Sequence, residues 1–309
     1  MKKISIIPLI ALFTASFLWG SEFVLLEVAL DELPVEFFTL LRMGSAAAAL
    51  LLAKCLFKRN ERILPDDRVR ILISGVLCGV YFFMENAGVE RTSGALASMI
   101  LTLVPILGLI ADRIFFGNKI TVKKASATAV SIVGVFLIVT CGGNGDMGGQ
   151  LSGYLFMLGA TVFWTAYLVI SKPLLERYSA LTVTAWQFLT AAAVSLPAAV
   201  PSWVPASEFN GELVLVVLAA GVVCTAGTEF VYLFAVGRVT VAFATLFENF
   251  IPVVAILISF AVFGTVPAVL QLAGGCLIIA SVLAASGMFE RKKPCSEADK
   301  DEKEGKTAL

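Results

Sequence analysis

Apolar residues occur along this chain in runs long enough to cross a lipid bilayer, and short polar breaks separate the runs. A transmembrane helix needs about 20 consecutive apolar residues. The runs predict helices at residues 4–29, 35–57, 70–89, 94–116, 121–141, 151–171, 180–201, 211–236, 240–263 and 267–288. The predicted fold class is therefore an all-α integral membrane protein with ten transmembrane helices.

Composition agrees with a membrane protein. Of the 309 residues, 59% are hydrophobic and 15% are charged, and the mean hydropathy is +0.92. A soluble domain carries about 25% charged residues, so this chain lacks the polar surface to stay in water. Lys2-Lys3 followed by an apolar run resembles a secretory signal, but the run to about Leu30 is too long, so we interpret it as the first membrane helix.

Residues for metal or nucleophilic chemistry are scarce. The chain has no histidine, and its six cysteines show no CxxC spacing. These absences argue against zinc sites and against Ser-His-Asp or Cys-His catalysis. We therefore predict no enzyme activity, no metal and no cofactor, and we assign the cysteines to packing without a structural disulfide. The net charge is zero and the cations lie in clusters between apolar runs, which argues against a nucleic-acid partner.

The positive charges predict the orientation in the membrane. With the amino terminus in the cytoplasm, 21 of the 23 Lys and Arg residues fall on the cytoplasmic side, and only Arg42 and Arg91 do not. The outward breaks hold acidic residues instead, among them Asp31, Glu32 and Glu212. By the positive-inside rule, both termini of this multi-pass protein lie in the cytoplasm, and the membrane is an inner or plasma membrane.

The sequence contains an internal repeat. A shift of 145 residues aligns Trp19 with Trp164 and Thr39 with Thr184, and a shift of 147 aligns Arg91 with Arg238, Pro105 with Pro252 and Phe116-Gly117 with Phe263-Gly264. We divide the chain into five-helix repeats at residues 1–141 and 151–288 and a charged tail at 289–309, which we expect to be disordered and cytoplasmic. Because each repeat has an odd number of helices, the second copy enters the membrane from the opposite side.

Two inverted repeats are typical of alternating-access carriers, whose substrate site lies near the middle of the bilayer between the halves. The alternative is an old duplication that is kept only for packing. With no soluble catalytic domain in the sequence, the carrier interpretation is the stronger one. We expect helices 1, 3, 6, 8 and 9 to surround the site.

Short motifs recur in order in both halves. They are Phe17-Leu18-Trp19-Gly20-Ser21, the spacing from Pro34 to Arg42, the stretch 87–95, Pro105, the stretch 235–240 and Pro252. With them the chain resembles the EamA-type permeases of the drug/metabolite transporter superfamily over nearly its whole length. The resemblance implies ten helices, cytoplasmic termini and, usually, export of amino acids or related metabolites. The chain departs from the family pattern at Glu22, where a neutral residue is usual, and at Gly117-Asn118 and Gly264-Thr265, where a glutamate is frequent.

Ionisable residues inside membrane helices are costly and normally face a cavity or one another. Glu22 and Arg42 each lie about seven residues inside the outer ends of predicted helices 1 and 2, so they share one depth. We predict an ion pair between them with a role in gating. The alternative is that Arg42 clamps helix-end carbonyl groups.

Glu248 is the candidate proton-coupling residue. It lies eight residues, or about 12 Å, inside the inner end of predicted helix 9 and thus near the middle of the bilayer. A carboxylate at this depth is costly to ionise, so it could hold a proton at physiological pH or bind a substrate ammonium group. The plainer interpretation is a neutral glutamate that is hydrogen-bonded to a neighbouring helix.

The remaining candidates for substrate binding are polar or aromatic. The polar ones are Asn249, Glu85, Asn86, Glu229, Tyr232 and Gln187, and the aromatic ones are Trp19, Trp164, Tyr167 and Trp186. We assign Glu85, nearer the outer mouth, to gating or substrate access. Tryptophans usually mark the membrane interface, so those at depth either line a cavity or pack in a core, and both interpretations stay open.

We predict a secondary transporter, an exporter that works by alternating access with proton coupling. Several carboxylates without an intramembrane lysine favour a cationic, zwitterionic or neutral substrate such as an amino acid or an amine. The alternatives are a passive facilitator and an intramembrane protein that does not transport. The expected partners are a small-molecule substrate and the lipid bilayer. Small-residue runs at 44–48 and 273–275 fit either packing within the chain or a homodimer contact.

Overall fold

A computed structural model of the protein describes residues 6–57, 61–92, 97, 100–140, 150–254, 257–258 and 268–286. Within these ranges the chain is helical and contains no strand. We number the helices α1 (Ile6–Glu32), α2 (Val35–Leu56), α3 (Pro65–Arg91), α4 (Val104–Phe116), α5 (Val122–Thr140), α6 (Leu151–Leu175), α7 (Ala180–Ala199), α8 (Gly211–Val236), α9 (Val241–Val254) and α10 (Val269–Ser286). The all-helical class is confirmed for the described residues.

Five of these helices are long and apolar enough to cross a membrane. They are α2, α3, α6, α8 and α7 with its short extension to Ser202. Shorter apolar helices occur at Ile6–Glu22, Val241–Val254 and Val269–Ala285. The protein is therefore a membrane protein with several apolar helices, while the count of ten spans stays a prediction. The predicted tail at 289–309 lies outside the described residues.

Residues in the polar breaks begin and end the helices. The side chains of Ser179, Asn210 and Thr240 accept hydrogen bonds from backbone N–H groups three residues ahead, at 3.3, 2.7 and 3.3 Å. Such N-caps satisfy donors that have no partner within a helix. At the end of α4, Gly117 takes a left-handed conformation with φ of 66°, which a residue with a Cβ rarely adopts.

Three helical stretches are irregular. The chain turns at residues 102–103, just before α4 begins at Val104 and Pro105. Helix α9 contains a 3₁₀ segment, Phe247–Phe250, just before Pro252. Proline lacks an N–H and its ring clashes with the carbonyl four residues back, which accounts for both breaks. The middle of α8, Ala219–Gly227, is a π-helix, and the Thr225 hydroxyl donates to the Ala220 carbonyl at 2.8 Å inside it.

The helices pack in pairs around a shared interior. The most extensive contacts join α3 with α6 and α7, α2 with α7, α1 with α8, α5 with α10, and α4 with α9. Gly134 on α5 and Gly274 on α10 bring these two helices so close that a Cβ on either residue would collide with the partner's carbonyl oxygen. The small-residue run at 273–275 therefore serves packing within the chain at Gly274.

Hydrogen bonds at the ends of the helices define two ends of the helix bundle. At the first end, Glu61 accepts from Ser179 N–H at 2.9 Å, and Asp112 accepts from Val241 N–H at 3.2 Å. At the opposite end, Gln150 N–H donates to the Arg91 carbonyl at 3.0 Å. Cations of the described residues concentrate at the first end, which we call the basic end: Lys54, Arg62, Arg68, Arg70, Arg113, Lys119, Lys123, Lys124, Lys172, Arg177 and Arg238.

Candidate functional site

A small cavity lies in the interior between α1, α3, α6 and α9. Its volume is about 20 Å³, which is room for about one water molecule and too little for a metabolite. The lining residues are Trp19, Glu22, Leu26, Tyr81, Glu85, Leu101, Trp164, Glu248 and Ile251. Three of the nine are carboxylates and three are aromatic, a composition that is unusual for a membrane interior.

Arg42 on α2 is fully buried beside this cavity and holds together four helices. Its guanidinium donates to Glu22 on α1, to Glu85 at 3.2 Å and Asn86 at 2.8 Å on α3, and to Thr225 at 2.8 Å on α8. The guanidinium carbon also lies 4.4 Å from the centre of the Phe82 ring. A buried charge is tolerated only when it is paired and hydrogen-bonded, and this arrangement meets that condition.

The predicted ion pair between Glu22 and Arg42 is thus present. The alternative, in which Arg42 clamps helix-end carbonyl groups, is wrong, because its hydrogen bonds among the described residues go to side chains. Glu85 shares the same guanidinium and accepts from Tyr81 Oη at 2.7 Å. With all three groups ionised, one positive charge faces two negative charges.

Glu248 faces the cavity from α9 and accepts two hydrogen bonds from aromatic side chains. One oxygen accepts from Trp164 Nε1 at 3.0 Å and from Tyr232 Oη at 2.5 Å. None of the ion pairs found within the described ranges involves Glu248. This carboxyl group is therefore held by neutral donors only, and it is 7% exposed toward the cavity.

Aromatic rings form one wall of the cavity around Trp164. The Trp164 ring lies 5.6 Å from Trp19, 4.7 Å from Tyr81, 5.3 Å from Tyr167 and 5.7 Å from Tyr232, measured between ring centres. Trp19 and Trp164, which the repeat aligns, therefore meet each other and also line the cavity. Such faces attract cations, most strongly where water is excluded.

A second polar cluster lies behind the wall. Tyr167 Oη is 3.2 Å from Glu229 Oε2 on α8 and 3.1 Å from Gln187 Oε1 on α7. The Gln187 amide nitrogen donates to Ser74 and to Ser171, each at 2.8 Å. The other oxygen of Glu229 is buried without a hydrogen-bond partner among the described residues. This cluster touches the cavity only through the rings of Tyr167 and Trp164.

Two residues that the sequence assigns to substrate binding have their contacts away from the cavity. Trp186 is 39% exposed and lies 5.4 Å from the Lys54 ammonium group, and Asn249 donates to Ser131 on α5 at 2.8 Å. Adjacent residues on a helix point in different directions, so an interior-facing Gln187 or Glu248 turns its neighbour away.

The predicted place of Glu85 also needs correction. This residue is buried in the Arg42 network at the cavity wall, with 6% exposure, rather than in an outer vestibule. The neighbouring helices cover the side chain. Asn86 belongs to the same network and donates to Thr39 at 2.8 Å.

Sequence reasoning missed two participants. Tyr81 lies four residues before Glu85, so both occupy one face of α3, and that spacing was an available signal. Thr225 binds Arg42 because the π-helix in α8 turns its hydroxyl toward α2, and no sequence signal marks this register.

Comparisons with known proteins identify the family. The sequence model of the EamA-like transporter family matches residues 6–140 and again residues 151–287. A probable terminal-alkyne amino-acid exporter of Streptantibioticus cattleyicolor is 28% identical over 281 residues, which cover 86% of this chain and 88% of that protein. The uncharacterized transporter YdfC of Bacillus subtilis is 27% identical over 268 residues, with 86% of each chain covered.

One solved crystal structure shares the fold. Its chain matches with a TM-score of 0.75 at 20% identity, covering 90% of this chain and 98% of that one. At this identity the likeness concerns the fold alone. The two family matches together span nearly the whole described chain, and on that ground the protein belongs to the EamA-like transporter family.

Proposed function

We propose that this protein is a secondary transporter that exports a small amine or amino acid by alternating access, coupled to protons through Glu248. The observation that carries the proposal is the central cavity, which three carboxylates line beside an aromatic wall. Glu22 and Glu85 share the guanidinium of Arg42, and Glu248 has no cationic partner among the described residues. An excess of carboxylates and aromatic faces suits a ligand with an ammonium group, since both attract cations.

An inverted repeat underlies the proposal. Each helix of the first half has a counterpart in the second, from α1 and α6 to α5 and α10. When counterparts are exchanged, the contact α3–α6 becomes α8–α1 and the contact α3–α7 becomes α8–α2, and both pairs of contacts are present. The helix breaks at Pro105 and Pro252 occupy aligned positions. Arg91 and Arg238, also aligned, each donate to the carbonyl four residues back, at 2.9 and 2.6 Å, and they lie at opposite ends of the bundle. These features support ten spans in two halves of opposite orientation.

Contacts between the two halves hold the bundle together at the basic end, and alternating access requires such contacts to open and close. At the basic end, Asp67 of the first half accepts from Arg177 at 3.0 Å and from Tyr178 Oη at 2.9 Å in the second half. The cavity itself is too small for a substrate. The conformation therefore corresponds to a closed one, and substrate binding requires these cross-half contacts to separate at one end. Following the positive-inside rule, we assign the basic end and both termini to the cytoplasm.

Glu248 has the properties of a coupling residue. It faces the cavity, is covered by protein, and has only the neutral donors of Trp164 and Tyr232. Such a group can exchange a proton for a substrate ammonium group, because either one neutralises its charge in a poorly hydrated site. The exporter among the relatives is named for an amino acid, which supports the substrate class.

The proposal is tested in proteoliposomes that hold the purified protein. We expect radiolabelled amino acids or amines to be taken up against their gradient when a pH gradient is imposed, and uptake to fall to the passive level when the gradient is collapsed. Glu248→Gln should lose the response to pH and exchange the substrate more weakly, because the same carboxylate is proposed to hold the proton and the ammonium group in turn. Glu90→Gln, which changes a carboxylate paired with Arg91 near the opposite end, is the matched control and should behave as wild type.

Two results would contradict the proposal. Uptake that is strong for dicarboxylates and absent for amines would exclude the substrate class. Uptake that ignores the pH gradient in the wild-type protein would instead favour the passive facilitator, which is the second candidate.

A further inference from the structure

A large pocket lies at the basic end, between the ends of α4 and α6 and the beginnings of α5 and α9. Its volume is about 710 Å³, which is within the range of about 300–1,000 Å³ that small-molecule sites occupy. Five cationic side chains line it: Lys119, Lys123, Lys124, Lys172 and Arg238. We call this feature the basic pocket. It is separate from the central cavity, with which it shares no lining residue.

The charge in the basic pocket is poorly balanced. Among the described residues that line it, Glu176 is the single carboxylate. The nearby Asp112 does not line the pocket, and its two oxygens accept from the backbone N–H groups of Val241 and Ala242 at 3.2 Å each. Even with Asp112 counted beside Glu176, five cations face two carboxylates. An anionic ligand would therefore meet a net positive field.

Two of the cations are held in place by the backbone. The Lys172 ammonium group donates to the Val236 and Val239 carbonyls at 2.8 and 2.7 Å, which leaves one of its three protons for another acceptor. Arg238 donates to the Phe234 carbonyl at 2.6 Å and keeps further N–H groups. The pocket thus contains positioned donors in addition to the more exposed Lys119.

The pocket also changes in polarity with depth. Its charged residues lie at the helix ends, whereas Leu109 and Leu246 lie five to seven residues farther inside α4 and α9, or roughly 7–11 Å along the helix axis. A phosphate group with attached acyl chains has this same order of charge and apolar surface. A soluble phosphate would leave the apolar part exposed to water.

We propose that the basic pocket binds an anionic phospholipid, with its phosphate among Lys119, Lys124 and Arg238 and its acyl chains along Leu109 and Leu246. Basic pockets between membrane helices on the cytoplasmic side are suited to such headgroups. The site is independent of the transport cavity, so the proposal stands or falls separately from the proposed function.

The test measures lipid retention on the full-length protein by native mass spectrometry after delipidation. The protein is mixed with equal amounts of phosphatidylglycerol and phosphatidylcholine. We expect wild type to retain phosphatidylglycerol in preference, and Lys119→Gln/Lys124→Gln to lose most of that preference, at about fivefold in affinity per lysine. The control, Arg62→Gln/Arg68→Gln, removes two cations from the same end but outside the basic pocket and should retain the wild-type preference.

Other occupants give other outcomes. An equal loss in both double variants would overturn the proposal, because it would indicate general surface charge. Displacement of the lipid by millimolar inorganic phosphate would overturn it in favour of a soluble anion. Preference that develops only after residues 287–309 are deleted would overturn it as well, with the tail as the occupant. Both variants carry changes at surface positions, and gel filtration of each verifies that it is folded.

Discussion

Replacement of Arg42 by methionine should destabilise the protein more than any other single change near the cavity. The substitution keeps the apolar stem but leaves Glu22 and Glu85, which are 3% and 6% exposed, without their cation. Removing one partner of a buried ion pair costs about 3–5 kcal/mol. Asn86 and Thr225 also lose a hydrogen-bond donor, so the upper half of this range is expected.

The reasoning also predicts a rescue. Arg42→Met combined with Glu22→Gln and Glu85→Gln removes the charges together, so that no uncompensated charge stays buried. We expect the triple variant to recover most of the lost free energy of unfolding. Arg42→Lys should be intermediate, because one ammonium group cannot reach acceptors on α1, α3 and α8 at once.

Equilibrium unfolding by SDS in mixed micelles measures these differences through the fluorescence of the four tryptophans, of which Trp19 and Trp164 line the cavity. If the free energy of unfolding of Arg42→Met is less than about 1 kcal/mol below that of wild type, the variant does not leave a buried, uncompensated charge and the reasoning is refuted. A triple variant that is less stable than Arg42→Met alone would refute it as well, because charge balance would then not be the cause.

Two further predictions concern the contact at the basic end and the close approach of α5 and α10. Asp67→Asn should loosen the contact with Arg177 at the basic end. In a chain whose other cysteines are replaced by serine, a thiol reagent should then label the buried Cys78 faster. An unchanged labelling rate would show that this contact does not close the bundle. Gly274→Ala should lower the free energy of unfolding by about 1–3 kcal/mol, because the new methyl group meets backbone of α5, whereas Gly44→Ala meets nothing within 4 Å and should be neutral or stabilising. Equal effects of the two glycine substitutions in SDS unfolding would contradict the close helix approach.

Some features of the site follow from local sequence and depth. Glu22 and Arg42 lie at one depth on consecutive antiparallel helices, and this alone led to the ion pair that the structure contains. The distance of Glu248 from a predicted helix end makes it a candidate site residue, and it lines the cavity. Depth can be read from sequence because the rise per residue of a helix is constant.

Other features depend on the direction in which a side chain points. Trp186 and Asn249 do not line the cavity although the sequence favours them, whereas Tyr81 lines it and no sequence argument selects it. In a helix that is apolar all around, periodicity does not mark the interior face, so rotation about the helix axis is undetermined.

The sequence by itself determined that the chain is a helical membrane protein of the EamA-like family, because length, apolarity and repeated motifs are local properties. Only the tertiary structure decided that Arg42 joins residues of four helices, and that Trp164 and Tyr232 hold Glu248 at the cavity. Both arrangements arise from the packing of whole helices, as does the approach of Thr225 in the π-helix of α8 to Arg42. Contacts between distant helices depend on that packing, which no local pattern encodes.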